Sequence, residues 1–588
     1  MRSLWQRALM LMLALLLFAS AIPPLTVGAA EGGEDPLRTQ GVLSPLEEKL
    51  YTEMMAEATV IDIKGLCSSR EELEEAMNYL RYSTPELFHT ADGYSIRSAD
   101  EVPTAVLPSY TVTGEALETA RARYLLALDE ICEGVDPSWS DYEICLYLHD
   151  YLCTHFAYDT TLSIYDAYTF LTEGTGVCQS YTLTYTALLS RFDIPVSYAT
   201  GRDGAVAHIW NTVTLDGEVY HIDATWGDPL MNGKDTFGTA THDNFLKSDL
   251  AIDATGHESR ENYGGVMADD PTYDTGVLST VKAPFAFLNG DAYGIADGKL
   301  YRFSDDLSEA TLVYTVTENW TSFGSTLRVK PAAVAAYNGM LYVTTPHTIL
   351  ALDPVSWTAE ELLTVEGRYL FGLYADGNTL HYGVDTDIYS TGIEPMTYTL
   401  PSAVPPCTGE HDMEEYATVP STCKTEGARY LRCTVCGAKE SEPLPKPDHK
   451  FAVTVIPPGY EAGGYTEHRC EVCNTVEKTD PTDPLAPPSV DDYLAAVSAA
   501  EAAVSAADTV AAVAAARAME PYLDAAAIAE AKARLDARVL AYDARAEEIN
   551  AGMAQTLYAA LFSDGDLLTP VPTLLAILAL ALRRLLGV

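Results

Sequence analysis

Positive charge is scarce in this sequence. Lys and Arg number 36 against 84 Asp and Glu, giving a formal net charge of -48. Such a balance cannot neutralise a phosphate backbone, which argues against nucleic-acid binding. The excess acid reads instead as a solvated, mutually repulsive surface. Long apolar runs are also few. They occur at the two ends, and both are short beside the ~20 residues of a membrane span. Helical periodicity is missing from the whole stretch Lys282 to Leu400. At 588 residues the chain exceeds what one core organises, so several domains are expected.

The first apolar run, Ala8 to Ala21, follows Arg2 and Arg7 and leads to Val27, Gly28, Ala29 and Ala30. That is the pattern of a secretory signal, so residues 1–30 read as a signal peptide and the protein as exported. From Leu567 to Leu582 the polar residues are Thr569 and Thr573, and Arg583 and Arg584 follow. Residues 567–588 read as a C-terminal membrane anchor, with an amphipathic or buried terminal helix as the rival.

Between the ends the composition changes several times. Residues 31–140 read as an accessory lobe, with a helix starting at Ser69 (Glu72 in the capping-box position) and another from Gly114 to about Glu133. Residues 141–270 carry the candidate chemistry. Residues 282–400 alternate short Tyr/Val/Leu runs with Asn289-Gly290, Asp297-Gly298, Asn338-Gly339 and Asp376-Gly377. These are hairpin signals in a β-rich, propeller-like repeat with room for about three units, too few for a complete propeller. Residues 401–488 hold six of the eleven cysteines. Residues 489–562 are Ala-rich and read as a helical stalk, opened by Ser489 and Asp492, with Pro521 starting a second helix.

The richest segment is Gly174-Thr175-Gly176-Val177-Cys178-Gln179-Ser180-Tyr181. Two glycines permit a tight backbone just before the cysteine. Tyr181, Tyr185, Leu188, Leu189 and Phe192 then recur at helical spacing, so a helix begins at or near Cys178. A thiol there feels the positive end of the helix dipole, which favours the thiolate. Downstream, Ala207 to Leu215 and Glu218 to Ala224 alternate as strands around Asp216-Gly217, a two-residue hairpin turn. Counting back from the turn pairs Leu215 with Glu218, Val213 with Tyr220 and Trp210 with Asp223. His208 then falls opposite Thr225 and becomes a diagonal neighbour of Asp223, within side-chain reach. Cys178 as nucleophile, His208 as base and Asp223 as its orienting carboxylate complete a thiol triad.

HDYLCTHFAYD, GTGVCQSYTLTYTALLSRFDIPV, AHIWNTV and YHIDATWGDP together resemble the bacterial transglutaminase-like superfamily, over about Asp141 to Pro229. The resemblance implies a papain-like α+β catalytic domain within a multidomain chain. It also implies acyl chemistry through a cysteine thioester, with no cofactor for catalysis. Ser180 stands where the family usually has glycine. Gln179 and Tyr168 are candidate helpers for an oxyanion or substrate. Trp210 and Trp226 fit either a substrate cleft or the core, the core being the simpler reading, and His155 and His221 read as structural.

In the cysteine-rich segment, Cys433-Thr-Val-Cys436 and Cys470-Glu-Val-Cys473 belong to an internal repeat of 37 residues. His411, Cys423, Cys433 and Cys436 supply four soft ligands for a structural zinc. The second unit has His449, Cys470 and Cys473, with Tyr460 at the Cys423 equivalent and His468 as a substitute. Disulfides are the alternative outside the cell, and Cys407 is available to them. The motif resembles cysteine-knuckle repeats of Gram-positive surface proteins. Cys67, Cys132, Cys145 and Cys153 read as buried thiols. The expected function is an exported, peptidase-like thiol enzyme acting on peptide or protein, cell-wall-associated substrates, held at the membrane by its C-terminal segment. A non-catalytic surface binding module and a protein-crosslinking transglutaminase are the alternatives.

Overall fold

The computed structural model describes residues 43–542 apart from 232–233, 323–324, 390–391, 403–406, 408–410 and 474. The signal-peptide and membrane-anchor readings lie outside the described residues. Among the described residues no helix is long and apolar enough to cross a membrane. The chain divides into two compact units, Met1–Pro447 and Asp448–Val588.

The first unit begins with a lobe of two helices on a small sheet. Ser44 and Glu47 form a reciprocal capping box that starts helix Pro45–Met55. Ser69 caps helix Arg70–Ser83 through the Glu72 amide, while the Glu72 carboxylate accepts from Ser68 at 2.8 Å. Strands β1 (Ile61–Asp62), β2 (Thr90–Ala99) and β3 (Val102–Tyr110) pair in the order β1-β3-β2. Leu50, Ile61, Leu73, Leu80 and Val106 fill the space between helices and sheet.

Two longer helices follow, Glu115–Cys132 and Asp141–His155, the second started by a Ser140–Glu143 capping box. Strands β4 (Ala157–Tyr158) and β5 (Thr175–Gly176) pair in parallel on either side of the short helix Ala167–Glu173. Helix Cys178–Ser190 then packs on an antiparallel five-stranded sheet. The sheet runs from Phe245–Lys247 through β8 (Glu218–Ile222), β7 (Val206–Leu215) and β6 (Val196–Asp203) to Glu258–Asn262. Tyr181, Tyr185, Leu188 and Leu189 meet Leu148, Leu152, Val213 and Ile222 in one buried cluster, so this is an α+β domain.

The β-rich region consists of small antiparallel sheets, none of them closed. Two four-stranded meanders cover Ala286–Thr315 and Val334–Thr364, and a three-stranded one covers Tyr369–Thr399. Trp320, Leu341, Val343, Leu370, Leu373 and Val384 share their core. Asn289-Gly290, Asp297-Gly298 and Asn338-Gly339 all have positive φ and close two-residue turns. The fourth turn is corrected by one residue. Asp376 pairs with Thr379, so Gly377-Asn378 forms the loop.

The cysteine repeat appears as two three-stranded meanders. Met413–Val419, Gly427–Cys433 and Lys439–Leu444 belong to the first unit; Phe451–Ile456, Tyr465–Cys470 and Val476–Thr479 belong to the second. Beyond the latter, Ser489 and Asp492 cap helix Val490–Ala502 reciprocally. The next helix, Ala506–Met519, starts at Ser505, and Pro521 sits in the 3-10 turn Glu520–Tyr522 rather than opening a helix. Tyr493, Val497, Ala516, Ile528 and Leu535 bury one another. Residues 525–542 are helical as well, so three helices pack around one core in the segment read as a helical stalk.

Candidate active site

Gly174 at φ 75 closes helix Ala167–Glu173 in the left-handed region. Gly176 lies against Phe170 and Ser180, where an added Cβ would stand 2.5 and 2.7 Å from their carbons. The two glycines thus let the chain turn tightly into Cys178, the first residue of its helix. Ser180 is accommodated because its hydroxyl donates to the Ile164 carbonyl at 2.8 Å.

The Val177 N-cap gives no side-chain acceptor to the first turn. The amides of Ser180 and Tyr181 donate to the Val177 carbonyl. The Cys178 and Gln179 amides are therefore the pair in the first turn suited to an oxyanion.

The hairpin register agrees with the count from Asp216-Gly217. Leu215 pairs with Glu218, Val213 with Tyr220 and Asn211 with Ile222. Pairing stops there. Asp223 leaves the strand and becomes the N-cap of the four-residue helix Ala224–Gly227, accepting from the Thr225 and Trp226 amides at 2.9 and 3.2 Å. Its other oxygen meets His208 Nε2 at 2.7 Å. The His208–Asp223 contact is therefore made by a strand and a helix cap, and the Trp210–Asp223 and His208–Thr225 strand pairs do not form.

The Cys178 sulfur lies close enough to His208 to favour its charged form. Burial works against a charged imidazole, but the Asp223 charge, the hydrogen bond to it and Cys178 outweigh burial and push His208 up to about 10. Asp223 is fully buried. Burial alone would raise its carboxyl, yet the paired imidazoles hold it well below the usual carboxylate range. The site therefore favours an imidazolium facing the sulfur.

Two residues join the site without having been singled out in the sequence. His257 Nε2 lies 2.9 Å from the same Asp223 oxygen, its Nδ1 is 3.0 Å from the Thr255 hydroxyl, and its ring packs on Trp226 at 4.3 Å. It lies 34 residues beyond Asp223, and no local pattern marks it. Tyr158 is held next to Gly176 by the β4–β5 pairing. Burial, and next the Cys178 charge, raise its hydroxyl above the usual phenol range, which keeps it a donor beside the thiol. Its signal was present in the FAYD run but is weak alone.

Other candidates fall elsewhere. Trp210 is 1% exposed, donates to His221 Nδ1 at 3.0 Å and packs with Ala199 and Ile252, so it is a core residue and not a cleft wall. Trp226 is the half-buried indole, stacked on His208 at 5.6 Å. Tyr168 stacks on Phe88 at 4.8 Å and serves packing rather than an oxyanion. Gln179 sits half-buried at the second helical position.

Of the expected metal ligands, His411, Cys433 and Cys436 come together, and the fourth member of their cluster is Cys407. Cys423 is not one of these four. It lies in the turn between Met413–Val419 and Gly427–Cys433. In the second unit His449 Nδ1 is 3.3 Å from Cys473 Sγ and is hydrogen-bonded to Cys470, while His468 is engaged with the Thr479 hydroxyl at 3.0 Å. Both sets have the donor chemistry to hold a metal.

Residues 130–224 match the model of the Transglutaminase-like superfamily. No curated protein matches the chain. A crystal structure of a TGase aligns at 14% identity over 22% of this chain and 43% of its own, with a TM-score of 0.17. A proposed cysteine protease from Cytophaga hutchinsonii aligns at 15% identity over 23% of this chain and 61% of its own, with a TM-score of 0.15. The Nidogen/Laminin complex aligns at 11% identity over 49% and 94%, with a TM-score of 0.17. The chain spans less than two thirds of the TGase and protease chains. It carries a transglutaminase-like domain at residues 130–224.

Proposed function

We propose that this chain, through its transglutaminase-like domain, is an exported cell-surface thiol enzyme that cleaves or transfers the acyl groups of peptide or protein amides. The observation that carries the reading is the 2.7 Å contact between His208 and a buried Asp223, made beside a thiol at a helix start. The charged, then apolar N-terminal sequence supports export, and the apolar C-terminal segment supports attachment to a membrane.

In the reaction, the Cys178 thiolate attacks the amide carbonyl carbon and the carbonyl electrons move to oxygen. The Cys178 and Gln179 amides, with the Tyr158 hydroxyl, are the donors for that oxyanion. Collapse expels the amine, which takes its proton from the His208 imidazolium, and leaves a thioester on Cys178. Water or a primary amine then attacks the thioester, His208 accepts its proton, and the sulfur departs as thiolate. Asp223 holds the ring and its charge throughout. The product is a carboxylic acid with water, or a new amide with an amine. Water is the default acceptor, because alkyl amines are protonated at neutral pH. A peptidase-like hydrolase acting on wall-associated peptide or protein is therefore the favoured form. The reaction uses no cofactor, and zinc in the cysteine-rich region is structural on this reading.

The test is to incubate the full chain with glutamine-containing peptides, with and without a primary amine, and weigh the products. Cleavage or deamidation absent from Cys178→Ser supports the hydrolase. An amine adduct identifies a crosslinking transglutaminase instead. Wild type producing nothing beyond Cys178→Ser would leave a non-catalytic binding module.

A further inference from the structure

Cys433 and Cys436 bracket the turn that ends strand Gly427–Cys433, and Cys407 and His411 arrive from the segment before Met413. One ligand atom from each of the four lies within 4.8 Å of all the others. Cys407 Sγ is 3.6 Å from Cys433 Sγ, and Cys436 Sγ is 3.3 Å from His411 Nδ1.

These separations discriminate between two chemistries. A disulfide brings its sulfurs to about 2.05 Å. Around one zinc, with Zn–S of about 2.3 Å and Zn–N of about 2.0 Å, two sulfurs stand roughly 3.8 Å apart and a sulfur and a nitrogen roughly 3.5 Å apart along the tetrahedron's edges. The two observed distances lie within about 0.2 Å of those edges and far from a disulfide. The turn itself is fixed by Gly437 at φ 72, by the Cys433 amide donating to the Ala438 carbonyl at 2.8 Å, and by the Gly437 amide donating to the Cys433 carbonyl at 2.9 Å.

The sheet carrying these ligands has little core of its own. Along its three strands Val419, Gly427 and Cys433 are the buried positions. So small an apolar interior does not stabilise a module without a staple. The sheet is nevertheless docked. Lys439 pairs with Glu133 at 2.7 Å and Arg432 pairs with the same carboxylate. Arg123 donates to the Glu426 carbonyl at 2.7 Å and the Thr119 hydroxyl to the Pro420 carbonyl at 3.1 Å. All three partners lie on or just after helix Glu115–Cys132. The inner face of that helix, with Leu117, Tyr124 and Leu128, shares one core with the Cys178 helix.

We propose that Cys407, His411, Cys433 and Cys436 form a closed tetrahedral zinc site that folds this sheet into a brace for the helix behind the thiol domain. Four protein ligands leave no open position, so the metal serves structure and takes no part in the chemistry at Cys178. Metal binding here is folding free energy for the brace.

Zinc content of the purified full chain, compared between wild type and Cys407→Ser, tests the assignment. The expected result is a loss of about one zinc per chain and a lower thermal midpoint, with alkylation of Cys178 retained. That last readout separates failure of the zinc site from failure of the thiol reading. Should Cys407→Ser not fold, His411→Cys keeps four ligands. It is expected to retain zinc, and its cobalt-loaded form should show visible bands shifted from those of the cobalt-loaded wild type. Equal zinc in wild type and Cys407→Ser, or cobalt bands unmoved by His411→Cys, would overturn the assignment. So would a Cys407–Cys433 disulfide in the folded chain.

Discussion

Among the described residues the first unit contains two Cys–His–Asp arrays, and their difference says what makes one of them a candidate for catalysis. In the first, Cys178 faces His208 and Asp223, and Asp223 also holds His257. In the second, Cys153 Sγ is 3.9 Å from His149 Nε2, His149 Nδ1 is 2.9 Å from Asp150, and Asp150 also holds His242 at 2.9 Å. The chemical inventory is the same. Cys178 stands at a helix N-terminus and is half-buried, whereas Cys153 lies in the last turn of helix Asp141–His155 and is 2% exposed. The helix dipole favours a thiolate at the first position and opposes one at the second. Cys153 also approaches the Ala224 carbonyl at 3.6 Å, and a Cβ on Gly227 would stand 2.4 Å from His149. No substrate fits there. Burial outweighs its carboxylate partner and lowers the His149 pKa, whereas the balance goes the other way at His208. Asp150 accepts from the Phe285 amide at 2.7 Å, and His242 Nδ1 donates to the Val281 carbonyl at 3.1 Å. The second array is a tie between the α+β domain and the first β-rich meander.

The contrast can be broken most severely at His208. His208→Ala should lower turnover on a cleavable peptide by about 10²- to 10⁴-fold, the usual contribution of a general acid–base, while leaving the fold intact by circular dichroism. His149→Ala should do the reverse. Removing a buried hydrogen-bond partner of the Asp150 carboxylate costs about 1.5–3 kcal/mol, read as a lower denaturant midpoint, with Cys178 alkylation unchanged in the folded fraction. Equal losses of activity in both variants would erase the distinction.

His257→Phe sharpens the comparison, since it removes a hydrogen bond to a buried carboxylate. At about 1.5–3 kcal/mol the expected cost is roughly 10- to 100-fold in turnover, with peptide KM little changed. The pH profile is the gentlest probe. The His208 pKa is raised, so pairing with Asp223 contributes stability fully present below the ordinary histidine value of ~6.5 and lost as pH rises through about 10. Turnover, which needs the imidazolium as acid, should fall through that same pH, whereas alkylation of Cys178 should not.

The parts of the site set by local chemistry were legible in the sequence. Asp216-Gly217 dictated the hairpin register, and the glycines and tyrosine spacing marked the helix that starts at Cys178. The same rule failed by one residue at Asp376-Gly377, where Gly377 and Asn378 make the loop. What long-range packing decides was not legible. Nothing local indicates that Asp223 would abandon its strand to cap a helix, or that His257 would reach it from the strand Glu258–Asn262 side of the sheet. Cys407, and not Cys423, joins His411, Cys433 and Cys436 in the candidate metal cluster for the same reason. Spacing identifies candidate ligands, but packing between distant parts of the chain decides which of them converge.

The most direct measurement is competitive alkylation of the folded full-length chain by limiting iodoacetamide near neutral pH, with each cysteine quantified by peptide mapping. Cys178 should be modified first and faster than a simple peptide thiol, Cys153 should stay unmodified, and the Cys178 advantage should disappear in His208→Ala. If Cys178 reacts no faster than the peptide thiol, or keeps its rate without His208, the two arrays are chemically alike and the thiol-enzyme reading is contradicted.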